Sequence, residues 1–166
     1  MFYFCSLGSN IEPANNVAKA LDALTRLTND LTLSPLIQTE PHGMSSSHPF
    51  YNALFWFESE EDAESIKADF NAIETRLGRD RSDPSKKLKD RPIDLDILYA
   101  GPRKALASLS VEDPYLAPLT PILSGMAPSA SVVTLKFAGK RLGLGLGVFR
   151  LLREGDTINI ERVNIP

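Results

Sequence analysis

Two aspartates stand one residue apart in an otherwise apolar segment, RPIDLDILYA, which spans residues 91–100. The composition of the segment is typical of a β-strand. Residues i and i+2 of a strand point to the same face, so Asp94 and Asp96 would lie side by side, together with Leu98. The opposite face would carry the remaining apolar residues: Ile93, Leu95, Ile97 and Tyr99. Two adjacent carboxylates repel each other, and burying either of them unpaired would cost several kcal/mol.

A divalent metal ion would relieve this repulsion. Mg²⁺ binds one or two carboxylates, keeps some water, and completes its shell with phosphate oxygens of a substrate. Residues 76–91, directly before the aspartates, hold seven of the 18 basic residues, which are suited to the same phosphates. The pattern therefore predicts metal-dependent phosphate chemistry. The alternative is that both aspartates are solvated on the open face of an antiparallel sheet.

The segments that must position these residues follow the order β-α-β-β-α-β over residues 1–100. Pro35 interrupts the second strand, which we therefore expect to be bulged or at a sheet edge. The order predicts an α+β fold with a ferredoxin-like βαββαβ core, in which an antiparallel sheet carries both helices on one face. The expected elements are strands near residues 1–7, 31–38, 50–58 and 92–100, and helices near 13–27 and 63–77.

Residues 101–166 are predicted to form a β-rich C-terminal part of the same single domain, 1–166. Strand-like segments flank the turns AGK and REGD, and no repeat or linker-like stretch separates them from the core. Residues 142–147 alternate leucine with glycine, and no helical pattern follows them. This alternation favours a glycine-rich strand over a nucleotide-binding loop.

Composition narrows the classes of partner. The net charge of the 166 residues is -3, which excludes a global basic field that would recruit nucleic acid. No run approaches the roughly 20 apolar residues of a membrane helix, and the first residues lack the basic region of a signal peptide. The single cysteine, Cys5, fits a reducing compartment. We therefore expect a cytoplasmic protein that acts on small molecules, without nucleic acid, a membrane or an obligate protein partner.

Four segments together resemble the 6-hydroxymethyl-7,8-dihydropterin pyrophosphokinases of folate biosynthesis. The most specific is the last, in which a Gly-Arg pair and a basic loop precede Asp-Leu-Asp-Ile-Leu. The order and spacing of the four match over residues 1–100, and the family fold agrees with the one that periodicity predicts. The segments are SLGSN (6–10), TEPHG (39–43), FYNAL (50–54) and IETRLGRDR…DRPIDLDIL (73–98).

The resemblance implies an ATP-dependent pyrophosphokinase. The hydroxymethyl oxygen of the pterin attacks the β-phosphorus of ATP, pyrophosphate is transferred, and AMP leaves. Asp94 and Asp96 would hold two Mg²⁺ ions between the two substrates. The residues implied on the ATP side are Glu74, Arg79, Arg81 and Arg91, with Arg79 and Arg91 as the catalytic pair. The residues implied in the pterin pocket are Thr39, Phe50, which would stack on the ring, and Asn52, which would read its amide edge.

The chain departs from the family pattern after residue 100 and just before the aspartates. It reads KDRPID where the family usually has Gly-Pro-Arg, and its basic loop is about two residues longer than expected. The stretch LSVEDPYLAPLTP (109–121) has Glu112 and Asp113 in place of a Pro-His pair and lacks the arginine that should follow. Tyr115 is a candidate for the aromatic residue that closes the pterin site.

These departures leave other functions open. One is a divergent paralogue that binds a pterin or nucleotide without this transfer, or with another acceptor. Another is an unrelated Mg²⁺-dependent phosphate enzyme or a plain interaction domain. An intact pyrophosphokinase would need replacement cations, for which the sequence offers Lys136, Lys140 and Arg141 on the predicted C-terminal hairpin.

Overall fold

The computed structural model describes residues 1–40, 48–80, 90–142 and 147–164. Arg81 and most of the glycine-rich segment lie outside these residues, so their predicted roles stay predictions. The elements of the first hundred residues are β1 (Phe2–Ser9), α1 (Pro13–Thr28), β2 (Asp30–Leu33), β3 (Leu36–Thr39), β4 (Phe50–Glu58), α2 (Ala63–Arg76) and β5 (Asp94–Gly101). With β2 and β3 taken as two halves of one interrupted strand, this is the predicted order.

The core of the sheet is antiparallel and has the order β2-β4-β1-β5. Both helices pack on one face, where Val17 and Leu21 of α1 and Phe70 of α2 share a hydrophobic cluster with Tyr3 and Phe55 of the sheet. The predicted α+β, ferredoxin-like arrangement is therefore confirmed. No helix within the described ranges has the length and apolar character needed to cross a membrane.

The break at Pro35 is a β-bulge inside the sheet. Leu33 pairs with Phe55 and Ile37 pairs with Asn52, so three residues on one strand face two on the other. The bulge is held at its first residue, where the Leu54 N–H donates to Ser34 Oγ at 2.8 Å. The expectation of a bulge is confirmed. The alternative of an edge strand is wrong, since β2 and β3 each have neighbours on both sides.

A second bulge, in β5, corrects one prediction. Phe4 of β1 pairs with Tyr99 and Cys5 pairs with Ile97, which leaves Leu98 as the extra residue. Ile97 packs in the helix-side cluster, whereas Tyr99 packs on the other side of the sheet, with its ring centroid 6.4 Å from that of Phe2. The prediction that Tyr99 shares a face with Leu95 and Ile97 is wrong, because the bulge shifts the alternation.

The face of the sheet opposite the helices is covered in part by two 3₁₀ helices, Leu106–Ser108 and Ala117–Ser124. Leu106, Leu119 and Ile122 pack there against Phe4 and other sheet residues. This second cluster leaves one end of the face uncovered, and the polar ends of β1, β4 and β5 lie at that end.

The C-terminal part is β-rich, as predicted. Its strands are β6 (Val132–Val133), β7 (Leu135–Phe137), β8 (Lys140–Leu142), β9 (Val148–Glu154) and β10 (Thr157–Val163). The β7–β8 and β9–β10 pairs turn at AGK and REGD, and both turns contain a glycine in the left-handed region, Gly139 at φ 76° and Gly155 at φ 61°.

β9 extends the main sheet by pairing with β2, and a buried arginine ties it to α1. Arg153 donates from Nε to Thr25 Oγ1 at 3.2 Å and from Nη2 to Asp22 Oδ1 at 2.5 Å. Its side chain is 4% exposed, so this is a tertiary contact and not a surface ion pair. The C-terminal hairpin therefore contributes to the same packed unit as α1.

Candidate active site

A cavity of about 300 Å³ lies on the face of the sheet opposite the helices. Three strands supply its floor, because Gly8 of β1 pairs with Asn52 of β4 on one side and with Asp94 of β5 on the other. In the next row Ser6 pairs with Asp96. Two further lining residues, Asp113 and Tyr115, come from the segment before the second 3₁₀ helix. The strand register thus brings the predicted metal residues and the predicted pterin residues into one cleft, which we call the active-site cleft.

Gly8 is required by a close approach. A Cβ atom at this position would lie 2.6 Å from Asn52 Oδ1, which is well inside van der Waals contact. The glycine of the SLGSN segment therefore lets the Asn52 side chain lie across β1.

Asp94 is held by two arginines. Its Oδ1 accepts from Arg79 Nη1 at 2.6 Å, and its Oδ2 accepts from Arg91 Nη1 at 3.0 Å. Burial lowers the pKa of Arg79, but the carboxylates of Asp94 and Glu74 outweigh it and leave the pKa raised. The two arginines predicted as the catalytic pair therefore converge on one of the two predicted metal ligands.

Glu74 lies behind Arg79 and not at the cleft surface. It is fully buried in the last turn of α2, contacts Arg79 Nη1, and accepts from the Leu95 N–H at 3.1 Å through Oε2. The resemblance implies Glu74 on the ATP side. A carboxylate that is fully enclosed between α2 and β5 would act there through Arg79, and its part in ATP binding stays a prediction.

Asp96 has an unusual titration. Burial of its carboxyl group, followed by the neighbouring charges of Asp94 and Glu74, raises its pKa to about 6, although the residue as a whole is exposed. Arg79 and Arg91 oppose this shift, although Arg79 donates hydrogen bonds to Asp94 and Glu74, and Arg91 donates one to Asp94. A carboxylate with this excess of negative charge is a favourable site for a cation.

The donor set fits Mg²⁺. Two hard oxygen ligands lie on one face of β5, next to a cleft with room for water and phosphate. Each carboxylate oxygen can accept a second interaction, so the arginine contacts of Asp94 do not exhaust it. In the part of the chain that the structure describes, no group of three or more His, Cys, Asp or Glu residues forms a metal cage. Mg²⁺ bound with substrate phosphates needs no such cage.

Of the three predicted pterin residues, Phe50 and Asn52 line the other side of the cleft, and Thr39 lies behind Asn52 as its hydrogen-bond partner. Asn52 is 4% exposed and donates from Nδ2 to Thr39 Oγ1 at 2.8 Å. This bond commits the amide nitrogen and leaves Oδ1 as an acceptor, which suits the N–H groups on the amide edge of a heterocycle. The ring of Phe50 is 4% exposed and packs against Tyr115, with centroids 4.9 Å apart and planes inclined at 57°.

Sequence reasoning missed a network that fixes the backbone of Arg91. Asn10 accepts from the Arg91 N–H at 2.6 Å through Oδ1, and its own N–H donates to the Arg91 carbonyl at 3.1 Å. Asn10 Nδ2 also donates to Asp90 Oδ1 at 2.8 Å, and His48 Nδ1 lies 2.7 Å from Asp90 Oδ2. These residues are far apart in sequence, so no local pattern indicates that they meet.

The candidate replacement cations do not line the active-site cleft. Lys136, Lys140 and Arg141 lie on the β7–β8 hairpin, which packs against α1, and the buried residues of this hairpin belong to the helix-side cluster. The expectation that they replace the missing ATP contacts is therefore wrong, because the hairpin is on the opposite face of the sheet.

Comparison with known proteins assigns the family. The family model of 7,8-dihydro-6-hydroxymethylpterin-pyrophosphokinase (HPPK) matches residues 4–127, a range that includes every lining residue of the cleft and ends before β6. The 2-amino-4-hydroxy-6-hydroxymethyldihydropteridine pyrophosphokinases of two Porphyromonas gingivalis strains, ATCC 33277 and W83, are each 39% identical to the chain over 114 residues. These matches cover 68% of this chain and 78% of each relative. The chain therefore belongs to the 7,8-dihydro-6-hydroxymethylpterin-pyrophosphokinase family and is an ATP-dependent pyrophosphokinase.

Proposed function

We propose that the active-site cleft transfers pyrophosphate from ATP to the hydroxymethyl group of 6-hydroxymethyl-7,8-dihydropterin, with two Mg²⁺ ions at Asp94 and Asp96 and AMP as the leaving group. One observation carries the proposal. Asp94, Gly8 and Asn52 lie in one row across three strands. Carboxylates that suit a metal ion therefore lie beside an amide and an aromatic ring in one cavity.

The transfer needs no covalent intermediate on the protein. The hydroxymethyl oxygen attacks the β-phosphorus, the bond from that phosphorus to the α-phosphate oxygen breaks, and AMP keeps this oxygen. The proton of the hydroxyl group passes to water. Positioning and neutralisation of charge dominate the catalysis of such a reaction.

On the phosphate side, the chain supplies fixed donors. Glu74 and Asp94 hold Arg79, and Asn10 holds the backbone of Arg91, so both guanidinium groups are oriented before ATP arrives. Arg81 is proposed to contact the triphosphate as well. When bound, Mg²⁺ would neutralise the triphosphate and polarise the β-phosphoryl group. Preorganised donors of this kind act strongly because they need no reorganisation during the reaction.

On the pterin side, Phe50 is proposed to stack on the pterin ring in place of the Tyr115 ring that packs on it in the ligand-free protein, and Asn52 Oδ1 offers an acceptor. Thr39 is proposed to act through Asn52, since its hydroxyl group accepts a hydrogen bond from Nδ2 and holds the amide in place. Tyr115 is proposed as the second aromatic residue of the pocket, because its ring is the one that packs on Phe50.

We further propose that the protein works in the cytoplasm and needs neither nucleic acid nor an obligate protein partner. The net charge of -3 and the single cysteine support this proposal.

The direct test is AMP formation from ATP, Mg²⁺ and 6-hydroxymethyl-7,8-dihydropterin. We expect AMP from the wild-type protein, and a rate about 10³-fold lower for Asp94→Ala and Asp96→Ala, which corresponds to the several kcal/mol that a phosphate-bound metal supplies. Glu154→Ala removes an exposed carboxylate near the other end of the sheet and serves as the matched control.

Two results would contradict the proposal. Wild-type protein that binds the pterin but forms no AMP would favour the paralogue that lacks this transfer. Full activity in both aspartate variants would exclude Asp94 and Asp96 as the metal ligands.

A further inference from the structure

The segment that carries Tyr115 into the active-site cleft has no regular secondary structure to hold it. Residues 113–116 form a turn between the two 3₁₀ helices. Phe50, on the other side of the ring contact, lies in the middle of the sheet on β4. Contacts within the turn therefore help to place Tyr115.

Asp113 makes those contacts. Its Oδ1 accepts from the Tyr115 N–H at 2.8 Å, and its carbonyl accepts from the N–H groups of Leu116 at 3.0 Å and Ala117 at 2.9 Å. This is an Asx turn, in which a side-chain oxygen two residues back replaces a backbone acceptor. Pro114, between Asp113 and Tyr115, fixes its own φ near −65° and so limits the backbone conformations that the turn can adopt.

The far end of the turn is anchored by burial. Leu116 is 3% exposed and belongs to the cluster under the 3₁₀ helices. Tyr115 thus lies between a buried leucine and a side-chain hydrogen bond. Loss of the hydrogen bond would remove the side-chain anchor beside Tyr115 and would loosen the backbone that directs the tyrosine ring.

We infer that Asp113 is a positioning residue for the pterin pocket. Its side-chain acceptor holds the backbone of Tyr115 so that the ring stays beside Phe50, as the aromatic residue that closes the pterin site, and this sets the affinity for the pterin without acting on ATP. The inference rests on the proposed function, because it takes the pterin as the ligand of this pocket. What matters is the acceptor oxygen and not the negative charge.

The competing explanation is a role for the charge. Asp113 lines the same cavity as Asp94 and Asp96, so a third carboxylate could act on bound cations or on ATP. The two roles are separable, because an asparagine keeps the acceptor oxygen of an Asx turn and loses the charge.

The experiment compares Asp113→Asn, Asp113→Ala and Tyr115→Ala with the wild-type protein. Glu112→Ala is the control, since it removes the adjacent exposed carboxylate. Affinity for 6-hydroxymethylpterin is measured by its fluorescence, and KM is measured separately for dihydropterin and ATP. We expect Asp113→Ala to weaken pterin binding about fivefold to tenfold, as loss of one hydrogen bond allows. Asp113→Asn and Glu112→Ala should stay within about twofold, and KM for ATP should not change in any of them.

A second measurement needs no ligand. The aromatic NMR signals of Tyr115, assigned by their absence in Tyr115→Ala, should show the ring-current shift of a ring packed on Phe50. The shift should persist in Asp113→Asn and collapse in Asp113→Ala. Wild-type protein that fails to bind the pterin would overturn the proposed function. The NMR comparison would still test whether Asp113 positions the Tyr115 ring.

Three outcomes would overturn the inference. One is equal damage in Asp113→Asn and Asp113→Ala, which would assign the role to the charge. Another is unchanged pterin affinity in Asp113→Ala. The third is an NMR shift that Asp113→Ala leaves intact.

Discussion

The two sides of the active-site cleft are built by different means. On the phosphate side, Glu74, Arg79 and Asp94 stand on or next to α2 and β5 and are largely buried, and Arg79 contacts both carboxylates directly. On the aromatic side, Phe50 stands on a central strand, but Tyr115 depends on a turn held by Asp113. We therefore expect substitutions on the phosphate side to change both stability and catalysis. Substitutions in the turn should change affinity for one substrate.

The largest expected effect on stability is that of Glu74→Ala. This substitution leaves the buried guanidinium of Arg79 with one carboxylate fewer and the Leu95 N–H without its acceptor. The free energy of unfolding should fall by about 3–5 kcal/mol, as is typical when one member of a buried pair is removed. Urea denaturation measures this.

Glu64→Ala, an exposed residue in the first turn of the same helix, should cost less than about 1 kcal/mol. A loss for Glu74→Ala no larger than that of Glu64→Ala would contradict the view that the phosphate side is a buried, tightly paired structure.

Arg79→Lys tests whether the phosphate side needs the planar, two-nitrogen geometry of a guanidinium group. Both carboxylate contacts of Arg79 come from Nη1, which an ammonium group could replace, but an ammonium group lacks the planar, two-nitrogen geometry that suits a phosphate. We expect kcat/KM to fall about 10²-fold, which is the scale of a misplaced catalytic group. Arg76→Lys, exposed on the same helix, is the control and should leave kcat/KM unchanged. Equal rates in the two variants would show that only the charge matters.

Asp96→Asn should separate function from stability. The pKa of Asp96 is raised from an ordinary 3.8 to about 6, so ionisation of Asp96 destabilises the ligand-free fold as pH rises from about 4 to above 6. The amide variant should therefore be more stable than the wild-type protein at pH 8, by about 1 kcal/mol after allowance for solvent screening of a partly exposed group. At pH 4 the two should be nearly equal.

Chemical denaturation of the ligand-free proteins at both pH values measures the difference. A variant that is less stable than the wild-type protein at pH 8 would show that the ionised Asp96 carboxylate stabilises the ligand-free protein. Repulsion between Asp96 and its acidic neighbours would then not be the dominant effect.

The smallest expected effect is that of His48→Ala, at the rim of the phosphate side. The His48 side chain is 65% exposed, and its contact with Asp90 is a surface pair. Such pairs contribute about 0–1 kcal/mol, so stability and KM for ATP should both change little. A tenfold rise in KM for ATP would show that the rim is as tightly coupled to Arg91 as the buried residues are.

The same contrast explains what the sequence could and could not predict. Asp94, Asp96, Phe50 and Asn52 stand on strands, where a period of two determines which side chains share a face, and the structure places them in one cleft. Tyr99 was assigned to the wrong face because a bulge at Leu98 shifts that period, and an apolar run gives no sign of it.

Tertiary placement accounts for the other errors. The β7–β8 hairpin was expected near the cleft, but its buried residues pack on the face of the sheet that α1 occupies. The enclosure of Glu74 was equally unpredictable, since a helix pattern does not show which carboxylate will be covered by the strand that packs on it. The role of Asp113 depends on a side chain bonding to a nearby backbone group, and Asp-Pro followed by an aromatic residue was its one local sign.

The central claim is that Asp94 and Asp96 make ATP binding depend on Mg²⁺. Calorimetric titration of ATP, with Mg²⁺ and again with a chelator, tests it most directly in the wild-type protein, Asp94→Ala, Asp96→Ala and the Glu154→Ala control. We predict that Mg²⁺ strengthens ATP binding about 10²-fold or more in the wild-type protein and the control, and that each aspartate variant loses this gain. Equal nucleotide affinity in all four proteins with Mg²⁺ present would contradict the account.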